Sequence, residues 1–335
     1  MKVLIAGIAG ASLGTEIAKC LKLAGSYEIF GCDVSPMAFG HFSNMFDSTF
    51  NVSSDNYVAN VIEICLKNKI KYLIPGGEKP LVLLSNSEKE LKKNNILLIG
   101  NNFELTQKLS DKLITFKILE KNGFEIPLTK EITSINDITK LKFPCIVKPA
   151  VDSGGSDSVF IANNIDDCNL YYNILKINGK KIITQEYISL NEGEFTIGVL
   201  SLPDGKVVAC TIMERIFNSK LSISQNNKLG LISSGYSQGL IKEFPELEKQ
   251  ARLIAMTIKS TGPINIQARV RNGVLIPFEI NPRFSASTYL RALAGINEID
   301  FLLRFFIKGE NEFIYKLKPG YYLRSFTETY VPETI

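Results

Sequence analysis

The residues best suited to chemistry lie between Gly262 and Ser287, in the stretch GPINIQARVRNGVLIPFEINPRFSAS. Two apolar-rich segments, Ile264 to Val270 and Val274 to Ile280, flank Arg271-Asn272-Gly273. An Asn-Gly pair between alternating apolar runs predicts a β-hairpin with a tight or slightly bulged turn. Strand side chains alternate between faces, so Glu279 and Asn281 share one. Folding the ribbon back sets Gln267 opposite Glu279, to within about one residue of register. A carboxylate beside two amide oxygens suits a hard divalent cation such as Mg²⁺ (or Mn²⁺), which favours oxygen ligands and retains water for exchange with phosphates. Arg283, just beyond, offers a fixed fork that fits phosphate oxygens. The same alternation also fits the solvated polar face of an antiparallel sheet.

A second group lies upstream, in FPCIVKPAVDSGGSDSVFIANN (143–164). Phe143 to Val147 reads as an apolar strand that Lys148 terminates. The loop that follows is dense in small residues: Ser153, Gly154, Gly155, Ser156 and Ser158. Consecutive N–H groups in such a loop make a nest for anions, and a loop of this kind can close over a ligand and exclude water. A flexible hairpin tip has the same composition. Lys112 occupies the first turn of a helix, where the dipole does not favour a cation. IITQEYI (182–188) is a strand ending in Gln185, Glu186, Tyr187 and Ile188, whose extended backbone can hydrogen-bond the edge of a purine. Six residues after Ile188, Glu194 opens the strand EFTIGVL. Two acids flanking a strand pair also fit solvated edges.

These groups need a frame. Residues 3–7 (VLIAG) form an apolar strand, followed by a turn with Gly7, Gly10 and Gly14. A helix with Ile17, Cys20, Leu21 and Ala24 on one face comes next. Tyr27 to Cys32, a short strand closed by Val52, KYLIP (71–75) and ILLIG (96–100) alternate with helices, one capped by Asp55 and one over 79–93. Alternating β and α units predict an open, mostly parallel sheet with helices on both faces. Asp33 at the end of the second strand suggests a dinucleotide fold, but the turn spacing is G-x-x-G-x-x-x-G rather than G-x-G-x-x-G. Residues 214–239 are polar and read as a loop-like insertion carrying Arg215, Lys220 and Lys228, residues of the kind that contact substrate beside a cleft. Leu247, Ala251, Ile254 and Ile258 form a helical stripe. A helix from Ser287 to Gly295 carries Arg291, placed to face an acceptor carboxylate.

Composition bounds the function. The chain has 335 residues, a net charge of +4 and 45% apolar residues. No run of Lys and Arg marks a nucleic-acid surface. His41 is the single histidine, in an ordinary loop, so histidine-dependent nucleophilic catalysis has little to rest on. The six cysteines lack CxxC spacing and sit in apolar contexts, which points to reduced thiols and a cytoplasmic setting. No segment reaches the roughly 18 apolar residues of a membrane helix. The opening MKVLIAGIAGASLG reads as strand, turn and helix rather than as a signal peptide.

The strand NIQ-x-R, the short turn and the strand ending F-E-I-N-P-R-F-S resemble the metal-binding end of the ATP-grasp enzymes, closest to the carbamoyl-phosphate-synthase-like branch. S-D-K before a helix, the strand-end lysine with its glycine loop, QEYI and the following glutamate are similar to that family in the same order. The resemblance implies an α/β and α+β chain. A Rossmann-like domain (1–103) would precede an ATP-grasp fold with a small subdomain (104–185), a large subdomain (186–312) and a tail packed on it (313–335). It implies ATP and Mg²⁺ as cofactors. Lys112, Lys148 and the glycine loop would hold phosphates. Glu186, Tyr187 and Ile188 would form the adenine hinge, with Glu194 on the ribose. Gln267, Glu279 and Asn281 would bind metal, with Arg283 and Lys148 catalytic. Gly7, Gly10, Glu78, Arg215 and Arg291 become neighbours of the acceptor. The activity implied is ADP-forming ligation of a small carboxylate, such as an amino acid or sugar acid, to an amine through an acyl phosphate. Small-molecule substrates are the expected partners, with neither nucleic acid nor membrane, and a homodimer is the default assembly. A nicotinamide-dependent oxidoreductase and a non-catalytic nucleotide sensor stand as alternatives.

Overall fold

The computed structural model describes residues 1–10, 13–138, 141–151, 158–227, 230–331 and 333. Ser153, Gly154, Gly155 and Ser156 of the small-residue loop, and Lys228, lie outside the described residues.

The first 100 residues build one parallel sheet from β1 (Lys2–Ala6), β2 (Glu28–Asp33), β3 (Ser48–Asn51), β4 (Tyr72–Pro75) and β5 (Leu97–Leu98), in the order β3-β2-β1-β4-β5. Val3 and Ile5 enter one core with the helix Leu13–Ala24. Leu4 and Ala6, on the opposite face, enter another with the helix Tyr57–Asn68. Burial on both faces explains why these strands read as continuous apolar runs rather than alternating ones. Two local expectations are corrected. Asn56, in the left-handed region at φ 56°, occupies the cap expected of Asp55. The helix expected over 79–93 is two, Glu78–Asn86 and Glu88–Lys93, separated at Ser87.

A second, antiparallel sheet comprises β6 (Thr129–Ile132), β7 (Cys145–Pro149), β8 (Phe160–Ala162) and β9 (Ile182–Glu186), ordered β6-β9-β7-β8. The helix Ile165–Ile177 closes its core through Cys168, Tyr172 and Leu175.

The third sheet holds the hairpin. β10 (Glu194–Ser201) and β11 (Val207–Arg215) lead into a small ribbon of β12 (Ile223–Asn227) and β13 (Gly230–Ser233). β14 (Gly239–Ile241), β15 (Pro263–Arg271), β16 (Val274–Asn281) and β17 (Gly320–Tyr322) complete the order β16-β15-β10-β11-β14-β17. The ribbon corrects the loop expected over 214–239: ISQNN and GLIS lack the apolar alternation that announces a strand. Gln267 pairs with Glu279 and Asn265 with Asn281, with a bulge at Gln267/Ala268. Asn272 and Gly273 both take positive φ, 53° and 73°, as a two-residue primed turn requires. The Glu192 carboxylate accepts from both their N–H groups, at 2.6 and 2.9 Å. The helix Pro245–Thr257 buries Ala251, Ile254 and Ala255 against this sheet. The helix bearing Arg291 is short, Thr288–Leu293, and a further helix, Glu298–Lys308, follows it. Among the described residues, no helix is long and apolar enough to cross a membrane.

Candidate functional site

β7 and β9 of the second sheet and β10, β15 and β16 of the third converge on one cavity. Lys112, Lys148, Glu186, Tyr187, Ile188, Glu194, Gln267 and Glu279 all line it, together with Ile146, Val159, Leu231, Ile232 and Phe278. Apolar walls beside two lysines form a lining suited to a flat ring system carrying anionic groups. Lys112 begins its helix one residue after Asp111, whose carboxylate accepts from the Leu113 N–H at 2.8 Å. Asp111, rather than Ser110, is therefore the cap, and Ser110 ends the preceding helix.

Lys148 is buried, and its ammonium donates to Gln185 Oε1 at 2.8 Å and to the Phe278 carbonyl at 3.1 Å. Burial pushes its pKa down to about 7. The Lys112 charge lowers it further, and Glu279 opposes both. A cation held at such cost beside a cavity is a recognised mark of a site that meets anions.

Arg269, two residues from Gln267 and on the same face of β15, also lines the cavity. Its Nε donates to Glu194 Oε2 at 2.9 Å and its terminal nitrogens to the carbonyls of Ile188 and Leu231 at 2.5 and 2.7 Å. Its guanidinium lies 4.8 Å from the Tyr187 ring centroid. Arg215 approaches the other Glu194 oxygen at 3.5 Å. Glu194 therefore lines the cavity as a buried carboxylate between two guanidinium groups. The Glu186 carboxylate is engaged by Arg271 at 2.6 Å and by the Leu128 N–H at 3.1 Å. Sequence reasoning missed Arg269 and Gln185. The signal for Arg269 was present in its parity with Gln267; Gln185 was hidden by its position inside an apolar strand.

A second cavity, of about 330 Å³, shares Gln267 with the first. Glu78, Arg215 and Arg283 line it with Gly76, Gly77, Thr196, Asn265 and the polar loops 234–237 and 285–287. Arg283 and Glu78 approach to 3.8 Å. Arg291 does not face this cavity. It is fully buried behind the wall, 3.2 Å from Glu298, and donates to Ser285 Oγ at 2.7 Å. Burial is possible because Glu298, on the next helix, supplies the counter-charge. Gly7 does not line it either: its carbonyl oxygen would lie 1.8 Å from a Cβ at Gly14 and 2.0 Å from one at Gly76, so these glycines permit close backbone packing. Gly10 lines a different cavity, between the first helix and the tail. Asp33 accepts from the Ile8 and Ala9 N–H groups at 2.7 and 3.0 Å. Two N–H groups of the turn after β1 are thus taken by Asp33 itself.

The donor set fits a divalent cation that shares its ligands with phosphate. Gln267 Nε2 donates to Glu279 Oε2 at 3.0 Å, which aligns the pair and leaves Gln267 Oε1 as an oxygen donor. Asn281 lines a small adjoining cavity with Lys112, Glu279 and Arg283. Among the described residues no cluster of three His, Cys, Asp or Glu side chains exists, so an all-carboxylate cage is not what this ribbon offers. One carboxylate with neutral oxygens matches Mg²⁺, which keeps several positions for phosphate and water.

A family model described as an ATP-grasp domain matches residues 109–287, more than half of the chain. The N-terminal section of the carbamoyl phosphate synthase large chain from Aquifex aeolicus (strain VF5) is 26% identical over 301 residues, covering 84% of this chain and 51% of that protein. The chain spans about half, or less, of the length of the curated relatives it matches. Among solved structures, the fold is similar to the biotin carboxylase domain dimer of Hydrogenobacter thermophilus 2-oxoglutarate carboxylase, crystallised with MgADP, ADP and bicarbonate. That match has a TM-score of 0.66 at 16% identity over 94% of this chain and 71% of that one. It is equally similar to an L-amino acid ligase from Bacillus licheniformis, with a TM-score of 0.66 at 16% identity over 92% and 74%. The family match, the order of the sheets and the convergence of Lys112, Lys148, Gln267 and Glu279 agree: the chain belongs to the ATP-grasp family and is similar, within it, to carbamoyl phosphate synthase large chains.

Proposed function

We propose that the protein is an ADP-forming carboxylate–amine ligase that works through an acyl phosphate. The observation that carries this reading is the shared wall: Gln267 borders both the Lys148 cavity and the larger polar cavity beside it. In this reading ATP occupies the first cavity. The backbone of Glu186 to Ile188 borders adenine, Glu194 stands on the ribose side, and Lys112 and Lys148 face the phosphates. Gln267, Glu279 and Asn281 would hold Mg²⁺, which would supply positive charge to offset that of the phosphates.

The acceptor carboxylate then lies in the 330 Å³ cavity, which is roomy enough for an amino acid or sugar acid. Its oxygen attacks the γ-phosphorus and ADP leaves. The amine attacks the resulting acyl carbonyl, an N–H proton is lost, and phosphate departs. Both steps gather negative charge, and Lys148, Lys112 and Arg283 are the cations placed to balance it. No covalent enzyme intermediate is needed. Residues 1–103 would form a Rossmann-like wall on the acceptor side through Gly76 to Glu78. A coupled assay for ADP release against pairs of amino acids and sugar acids, with Mg²⁺, tests the reading. ATP binding with no acceptor-dependent ADP release across that panel would replace the ligase with a nucleotide sensor.

A further inference from the structure

The chain's last described segment does more than cover a surface. After the helix Glu298–Lys308 it returns to the third sheet, where β17 joins the edge strand β14 with Gly239 opposite Tyr322. Two residues later Arg324 reaches inward, and its side chain is only 8% exposed. The guanidinium donates to Glu16 Oε2 at 3.0 Å, to the Ala286 carbonyl, and to the Ser237 carbonyl at 3.4 Å. Its backbone N–H donates to Gln238 Oε1 at 3.3 Å. Phe326 then sets its ring edge-on to Tyr236, with centroids 5.2 Å apart. Ala286, Ser237 and Tyr236 all line the larger cavity. Glu16, on the first helix, is itself almost fully buried and is further held by Lys19 at 2.9 Å.

One side chain thus ties together three pieces of wall: the helix Leu13–Ala24, the loop that follows the metal-type ribbon, and the loop that precedes β14. Its hydrogen-bond partners among the described residues, Glu16, Ala286, Ser237 and Gln238, are not among those lining the Lys148 cavity. A buried, charge-assisted fork with three partners fixes geometry more firmly than it adds net stability. Loosening all three at once displaces the polar groups of the larger cavity together.

We propose that Arg324 is a positioning residue for the larger cavity, and that the returning tail sets acceptor affinity independently of nucleotide binding. The acceptor part rests on the ligase reading above; the wall-fixing part does not.

The test uses the full chain with Arg324→Ala, Arg324→Lys and Phe326→Ala. Hydrogen exchange is followed over 234–238, 284–288 and, as reference, 186–188. The two wall segments should exchange at least about tenfold faster in Arg324→Ala, with Arg324→Lys and Phe326→Ala intermediate and the reference unchanged. In the ADP-release assay, with an equimolar mixture of protein amino acids as acceptor probe, the half-saturating acceptor concentration should rise about tenfold or more. The KM for MgATP should stay within about twofold, since small misplacements of a binding wall weigh heavily on the ligand they orient. Unchanged exchange in both wall segments of both Arg324 variants would overturn the proposal. So would a rise of equal size at 186–188, which would mark general loosening. A wild-type protein that releases no ADP with this mixture tells against the ligase reading alone, and the exchange result then decides the wall-fixing claim.

Discussion

Replacing Lys148 by Met should alter how stability depends on pH. The folded protein holds the Lys148 ammonium at a pKa of about 7, against an ordinary value of 10.5. Below pH 7 both the folded and unfolded chains carry the proton, and the folded state bears the cost of burying the charge. Between pH 7 and about 10.4 the unfolded chain binds a proton that the folded chain does not, so stability rises with pH. Each pH unit in that window contributes about 1.4 kcal/mol, and from pH 6 to pH 9 the total comes to about 2–3 kcal/mol. Lys148→Met removes this term while leaving the other titrating groups in place. At pH 6 the variant gains by losing a buried charge and loses by stranding Gln185 Oε1 and the Phe278 carbonyl, at about 1–3 kcal/mol each. The absolute difference there is small, and the informative quantity is its change with pH. Taking an unfolding entropy of about 2.1 cal/mol/K per residue, wild-type Tm should rise by about 4 °C relative to Lys148→Met between pH 6 and pH 9. Differential scanning fluorimetry of both proteins without nucleotide measures this. A gap that stays constant across the range would mean that the ammonium keeps its ordinary pKa, and the description of Lys148 as a buried, unneutralised cation would fail.

Two further outcomes follow from the ribbon and its inner wall. Glu279→Ala should lower Mg²⁺-dependent ADP formation by about 1,000-fold or more while leaving circular dichroism and Tm close to wild type, because it removes the one carboxylate of the proposed metal set. Wild-type-like turnover would remove the metal assignment. Arg269→Met should cost about 3–5 kcal/mol in denaturant unfolding, since it strands a buried carboxylate and two carbonyls; a cost under about 1 kcal/mol would show that Arg215 alone satisfies Glu194.

The features legible in the sequence are those set by local periodicity. The Asn-Gly turn and the alternation around it placed Gln267 opposite Glu279 in the register found. The apolar runs of the first sheet announced strands buried on both sides, and the Leu247 to Ile258 stripe announced its helix. What stayed hidden depends on contacts between distant segments. Arg291 reads as a residue facing an acceptor carboxylate until Glu298 is seen beside it, on a helix the sequence reading did not separate. The Glu186 carboxylate is held by Arg271, 85 residues away in sequence, a contact that no local pattern announces. Arg269 was within the quoted motif and on the correct face, yet its role depends on Glu194, Ile188 and Leu231 meeting it from three other segments. Gly7 and Gly10 were read as neighbours of a ligand; the backbone at Gly14 and Gly76 instead crowds against Gly7, a steric reason that no local pattern distinguishes from a binding one.

Calorimetric titration of the wild-type protein with ATP in Mg²⁺, with ATP in excess EDTA, and with NAD in Mg²⁺ tests the central claim most directly. Saturable binding of ATP that weakens at least about tenfold without Mg²⁺, and no heat from NAD, is the result expected of a cavity in which Lys148, Gln267 and Glu279 act on a metal-bound triphosphate. Binding of NAD in preference to ATP, or ATP binding indifferent to Mg²⁺, would contradict it.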